Sequence, residues 1–219
     1  KHLDKRDAET TAIFEHYSSL SEQSWEWRHV DADLMPSGDM ALDLARFADI
    51  VLINRLERGS SVTDPDMTLE QLIFESGRPV IVAPKNYPQK HTGKRIVIAW
   101  NGTREATRAA FDALPLLRNA SPGCVRLVCP PASEKQPRQL PQGADLAEAL
   151  ARHGVELEVK PLPGRHSNAG AEIMVECEEF GADLLVMGGY GHSRLREYVF
   201  GGTTETILNE SVIPVLMTR

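Results

Sequence analysis

The sequence predicts an α/β protein made of two tandem domains, each a doubly wound parallel sheet. Three features carry that expectation. Short apolar runs alternate with helical segments along the chain, as β-α-β crossovers require. One stretch repeats itself at a nearly fixed offset, and a glycine-rich loop separates a buried strand from a helix within Gly181–Thr218.

Taken in order, Asp4–Ser19 places Ala8, Ala12, Ile13 and Leu20 at helical spacing and predicts a helix with one buried stripe. Trp25–Val30 alternates Trp25, Trp27 and His29 with polar residues and predicts a strand, the tryptophans serving as packing groups. Met40, Ala41, Leu44, Ala45 and Phe47 predict a helix over Asp39–Phe47. Ala48–Asn54 follows as a buried strand, Asp66–Glu75 as a helix and Pro79–Ala83 as a strand. The prolines, glycine and polar residues of Pro84–Lys94 mark a linker, so the expected domains are 1–84 and 95–219, joined by 85–94.

Arg95–Trp100 opens the second run as a strand, Asn101-Gly102-Thr103 as turn and cap, and Arg104–Leu117 as a helix. Then come a strand over Cys124–Cys129, a proline-rich loop over Pro130–Gly143, a helix over Ala144–His153 and a strand over Val155–Lys160. After a loop over Pro161–Asn168, Ala169–Phe180 is a helix with Ala171, Met174, Val175 and Cys177 inward. Leu184–Gly188, the glycine loop, a helix over Thr203–Ser211 and a strand over Ile213–Met217 complete the unit. Right-handed crossovers wind such a unit into an open sheet with helices on both faces. In the order 3-2-1-4-5 the winding reverses between strand one, ending at Asn101, and strand four, ending at Gly188, which brings the crevice to the glycine loop.

The repeat aligns Ala48–Asn54 with Ala182–Gly188 and Leu72–Val82 with Ile207–Met217. Asp49 to Asp183 is 134 positions and Pro79 to Pro214 is 135, which two copies of one domain explain most simply. By the same offset, the first strand of the first copy falls roughly 40 residues before Lys1. The expectation is a longer native chain, with the first copy here lacking its first two strands and first helix.

With 42% hydrophobic residues in 219, the chain can bury one large core or two small ones. A net charge of -7 without a lysine and arginine cluster argues against a nucleic-acid partner. Three cysteines, Cys124, Cys129 and Cys177, without C-x-x-C spacing suggest neither a disulfide framework nor a zinc site, which fits a reducing cytoplasm. No apolar run is long enough to span a bilayer, and the glycosylation sequons at Asn101 and Asn209 read as chance matches.

The loop holds the site candidate. Gly188, Gly189, Gly191, Gly201 and Gly202 let backbone amides approach a ligand ahead of a helix N-terminus, a receptor for phosphate. The same glycines equally suit turns and helix caps, and spacing alone leaves both readings open. In the first copy Gly59 is the only glycine between Asn54 and Leu72, so that loop cannot form such a cradle. His192 and Ser193 invite a catalytic reading, but no carboxylate sits at triad spacing, and a solvent-facing histidine beside phosphate is the plainer one. Arg194 and Arg196 could reach phosphate as forks or lie on the exposed face of a short helix, the latter being favoured for one of them.

Gly188-x2-Gly191-x9-Gly201 resembles the nucleotide-binding signature of the universal stress proteins, and GYGHSRLREYVFGGTTETIL with its proline-headed last strand extends the likeness. Gly202 stands where that signature has Ser or Thr, with Thr203 one position later. The resemblance is to bacterial two-domain members, and covers the second domain whole and the first from its second helix onward. It implies the adenine-nucleotide alpha-hydrolase-like fold with strand order 3-2-1-4-5, and ATP or AMP, with or without Mg2+, in the second domain only. By this likeness Gly188, Gly191, Gly201, Gly202, Thr203 and Thr204 fall on the phosphate path with His192 and Ser193 beside it. Cys129, Pro130 and Met187 fall at the adenine, and Asn101 at the ribose, where the family has aspartate. The family implies action through conformation or partners rather than catalysis, with no catalytic residue and no protein-held metal. The alternatives are a nucleotide-free interaction module and, more weakly, a slow ATP hydrolase. It also implies that the fifth strands, Val80–Ala83 and Val215–Met217, pair antiparallel as a pseudo-dimer within the chain, and a homo-oligomer is expected beyond it.

Overall fold

The computed structural model describes residues 2–28, 37–55, 65–85, 87, 91–129, 143–164, 168–189 and 202–219. Lys1–Pro36 and Ser37–Arg219 form separate compact units. In the first, α1 (His2–Ser19) carries Phe14, which meets Trp25 edge-on at 6.1 Å and Trp27 at 5.2 Å between ring centroids. The expected stripe is not buried: Ala8, Ala12, Ile13 and Leu20 are exposed, and Phe14 is the packing residue. Nor is there a strand over residues 25–28, where both tryptophans turn to Phe14 rather than alternate across a sheet. The remainder of that expectation lies outside the described residues.

The second unit runs α2 (Ser37–Ala45), β1 (Val51–Asn54), α3 (Pro65–Glu75), β2 (Val80–Ala83), β3 (Ile96–Ala99), α4 (Arg104–Asp112), α5 (Leu114–Leu117) and β4 (Val125–Cys129). It continues through α6 (Ala144–Ala151), β5 (Glu158–Pro161), α7 (Ala169–Phe180), β6 (Leu184–Gly188), α8 (Gly202–Glu210) and β7 (Val215–Thr218). The seven strands of the described residues lie in one sheet, ordered β1-β2-β7-β6-β3-β4-β5. From β7 to β5 the order is the expected 3-2-1-4-5, every neighbour parallel. β1 and β2 are parallel to each other but build no separate sheet: β2 joins β7 antiparallel, with Val80 opposite Met217, Ile81 opposite Leu216 and Val82 opposite Val215.

Because strand side chains alternate between faces, the sheet divides its apolar residues between two layers. Val97, Leu185, Met187, Val215 and Met217 pack with α3, α7 and α8, whereas Ile96, Ile98, Leu184, Val186 and Leu216 pack with α4, α5 and α6. Coverage ends at the β1 edge, where Leu52 is 70% exposed although its repeat counterpart Val186 is fully buried. The expected buried strand at 48–54 is thus a short edge strand. Pro115 breaks the expected single helix over 104–117, since its ring removes a helical N–H and crowds the preceding turn.

The helix α7 is rotated from its expected face. Ile173, Cys177 and Phe180 face the core, and Val175 is 41% exposed. The rotation buries Glu176, whose carboxylate accepts from Arg126 Nη1 and is ion-paired with Lys160 Nζ, each at 2.6 Å. Asn168 caps α7, and Gly181 ends it at φ +66°, a left-handed conformation that favours glycine.

At the amino-terminal end of the strands, buried Asp183 gathers three backbone amides. Oδ1 accepts from Gly93 N at 3.0 Å and Arg95 N at 2.9 Å, and Oδ2 from Lys94 N at 3.0 Å. This fixes the chain leading into β3 against the start of β6.

Candidate functional site

The carboxyl ends of β3 and β6 meet where the winding reverses, with Ala99 beside Met187. Beyond β3 the chain turns through Asn101 and Gly102, both exposed, with Gly102 at φ +79°. Asn101 Oδ1 accepts from Thr103 N at 3.2 Å and Thr103 Oγ1 at 2.8 Å, and Thr103 Oγ1 accepts from Ala106 N at 3.3 Å to cap α4. The turn therefore occupies the side-chain oxygen of Asn101. What remains for a ligand is its Nδ2, a donor with no carboxylate charge.

Gly188 ends β6, and its lack of a side chain has a packing reason. A Cβ there would lie 2.4 Å from Ala106 N and 2.6 Å from the Glu105 carbonyl carbon, so the first turn of α4 sits directly on it. Gly189 N donates to Thr218 O at 2.9 Å, tying the loop's first residues to β7. Thr218 is 1% exposed and its Oγ1 has no hydrogen-bond partner among the described residues. No sequence signal singles it out, since an orphaned hydroxyl is a tertiary property.

At the far end of the loop, Gly202 opens α8. It is exposed, and a Cβ there would meet nothing within 4 Å among the described residues. That leaves the N-terminus of α8 approachable, with Thr203 half-buried and Thr204 only 5% exposed. The Thr204 side chain belongs to the protein interior, unlike an exposed phosphate ligand.

The side chains expected at the adenine are also interior. Met187 lies in the layer beneath α7 and α8. Cys129 is fully buried in the opposite layer; a Cβ on Gly143 would come within 2.8 Å of its Sγ, which therefore lies under the start of α6. Its carbonyl accepts from Leu162 N at 2.8 Å. Met187 and Cys129 thus shape the strand ends through backbone and apolar bulk. Pro130, Gly191, His192, Ser193, Arg194, Arg196 and Gly201 lie outside the described residues. Among the described residues no group of three His, Cys, Asp or Glu could hold a metal ion, and no helix is long and apolar enough to cross a membrane.

The chain is similar to the universal stress protein Slr1230 of Synechocystis sp., at 27% identity over 184 residues, or 83% of this chain and 61% of that protein. The fold is similar to the crystal structure of a universal stress protein from Archaeoglobus fulgidus, with a TM-score of 0.62 at 16% identity over 83% of this chain and 66% of that one. A functionally unknown protein, PA1789 of Pseudomonas aeruginosa, is similar over 95% of this chain and 77% of its own, with a TM-score of 0.56 at 15% identity. The chain thus spans less than two thirds of the first two relatives. A model of the universal stress protein family matches residues 93–219, the span from the chain leading into β3 to the end of β7, and the chain belongs to that family.

Proposed function

We propose that the chain binds ATP or AMP at the carboxyl ends of β3 and β6, and acts in stress response through conformation or partners rather than by catalysis. The observation that carries this reading is the α8 N-terminus. Gly202 leaves it sterically open and exposed, and it follows the strand whose neighbour is β3, where ligands of open α/β sheets bind. Free amides and the positive end of the helix dipole suit phosphate there. Asn101 Nδ2 would donate to a ribose oxygen, and Gly191 and Gly201 would complete the phosphate path. Mg2+, if carried in with ATP, would be held chiefly by phosphate and water, because Asn101 supplies no carboxylate.

The family match at 93–219 supports a stress-protein domain there, and the echo of Ala182–Gly188 in Ala48–Asn54 supports a degenerate copy before it, joined through 85–94. On this reading the β2–β7 seam is an intrachain pseudo-dimer contact, the protein acts in the cytoplasm, and homodimerisation extends the assembly. A second reading, a nucleotide-free interaction module, draws on the engagement of Asn101 Oδ1 within its own turn.

Denaturing the purified protein and resolving the supernatant by ion exchange tests for carried nucleotide, and calorimetry with ATP and AMP gives the stoichiometry. One site per chain is expected, abolished by Gly191→Val in a folded variant. No binding of either nucleotide favours the interaction module, and two equivalent sites contradict a degenerate first copy.

A further inference from the structure

The first turn of α8 is held by a residue from another helix. Asn168 is the N-cap of α7, and both ends of its amide are committed. Its Oδ1 accepts from Gly170 N at 2.8 Å, capping its own helix, while its Nδ2 donates to Thr206 Oγ1 at 2.5 Å, on α8. The two helix starts are also in close contact. Gly170 is buried, and a Cβ there would lie 3.0 Å from Thr203 O, 3.0 Å from Thr206 Cβ and 3.2 Å from Asn168 Oδ1. Thr203 is the second residue of α8, so this contact reaches its first turn.

We propose that Asn168, seated by Gly170, is a positioning residue that fixes the first turn of α8 for phosphate binding. The inference rests on the nucleotide reading above and adds the group that orients its anion site. Amide donors favour an anion only when their directions are set before it arrives, and each degree of freedom left to the helix start is lost again on binding. Left to itself, a helix terminus frays and relies on partners outside its own ladder. Asn168 supplies such a partner from outside α8, leaving the amides of Gly202, Thr203 and Thr204 for the ligand. An N-cap serine could cap α7 as well, but it could not span to Thr206.

The test separates capping from positioning. Asn168→Ser keeps the cap and loses the link to α8; Thr206→Val keeps the shape and loses the acceptor; Thr206→Ser restores it. In nucleotide-free protein, backbone hydrogen exchange over residues 206–208, the first amides bonded within the α8 ladder, is expected to quicken about fivefold in N168S and T206V, the value of one net hydrogen bond, and to return to the wild-type rate in T206S. ATP affinity should weaken about fivefold in the first two variants, with adenosine affinity unchanged because adenosine carries no phosphate. Unchanged exchange in both variants overturns the inference, and so do equal losses for ATP and adenosine. If the wild type binds neither ATP nor AMP, the nucleotide reading falls, and phosphate binding as the purpose of the link falls with it. The exchange rates still decide whether Asn168 holds α8.

Discussion

Replacing Asp183 by alanine should cost about 4 kcal/mol of stability. Three amides, of Gly93, Lys94 and Arg95, lose a charged acceptor at once, and each such bond contributes about 1.5–3 kcal/mol net. The sum is reduced because the amides of Lys94 and Arg95 are only partly buried and regain water, whereas Gly93 N is buried. Asparagine is the informative intermediate. With its oxygen in the Oδ1 position it keeps Gly93 and Arg95 but turns an NH2 toward Lys94 N, so D183N should lose about 2 kcal/mol. The repeat provides a control, since Asp49 occupies the matching position in the first copy, is exposed and accepts from no backbone amide among the described residues. D49A should stay within about 0.5 kcal/mol of wild type. Urea denaturation at constant m-value measures all three. A loss under 1 kcal/mol for D183A, or equal losses for D183A and D49A, would refute the reasoning.

Gly188→Ala should destabilise by about 3 kcal/mol by the same assay, because the new methyl meets backbone of α4 rather than a yielding side chain; a variant as stable as wild type would show that α4 shifts freely. Thr218→Val, nearly isosteric, removes a buried hydroxyl with no partner among the described residues and should stabilise by about 1 kcal/mol; a loss of that size would reveal a partner for Oγ1. Burial, with the Glu176 carboxylate adding to it, pushes the Cys177 thiol up to about 12. The unfolded thiol, with an ordinary value of 9.0, releases its proton first. The contribution of Cys177 is therefore intact below pH 9.0 and lost as pH rises toward about 12, at about 1.4 kcal/mol per pH unit. Cys177→Ala should flatten that alkaline slope, and identical slopes would refute the assignment.

The architecture was largely legible because it depends on local pattern. Apolar runs ending at Asn54, Ala83, Cys129 and Gly188 located strands, and Gly181 ends a helix through backbone sterics that act within one turn, whereas the break at Pro115 was missed. What the pattern could not supply was the identity of each residue's neighbour. For Gly188 spacing left ligand approach and a structural role equally open, and the backbone of α4 lies where its Cβ would be. Cys129 and Met187 were expected to touch adenine, yet their side chains fill the two layers on either side of the sheet. On α7 the apolar stripe was misassigned because a glutamate is buried, which only Arg126 and Lys160 on neighbouring strands make tolerable. In the sequence Asn168 reads only as the end of a loop, and its bond to Thr206 reaches past a helix, a strand and a loop, which no local pattern shows.

The seam between β2 and β7 also sets an order of events during synthesis. Val80–Ala83 leaves the ribosome long before Val215–Thr218, and at about 5–20 residues per second the delay is roughly 7 to 27 seconds. During that interval β2 has β1 beside it and lacks its β7 partner, and an isolated two-stranded pair is at best marginally stable in water. The five strands β3 to β7 are contiguous in sequence and can assemble as they emerge. β2 is thus translated before β7 and consolidated on that side only when later residues provide the template. Until then the edge of β2 is an unpaired apolar strand, the kind of surface that nascent-chain chaperones and neighbouring chains compete to cover.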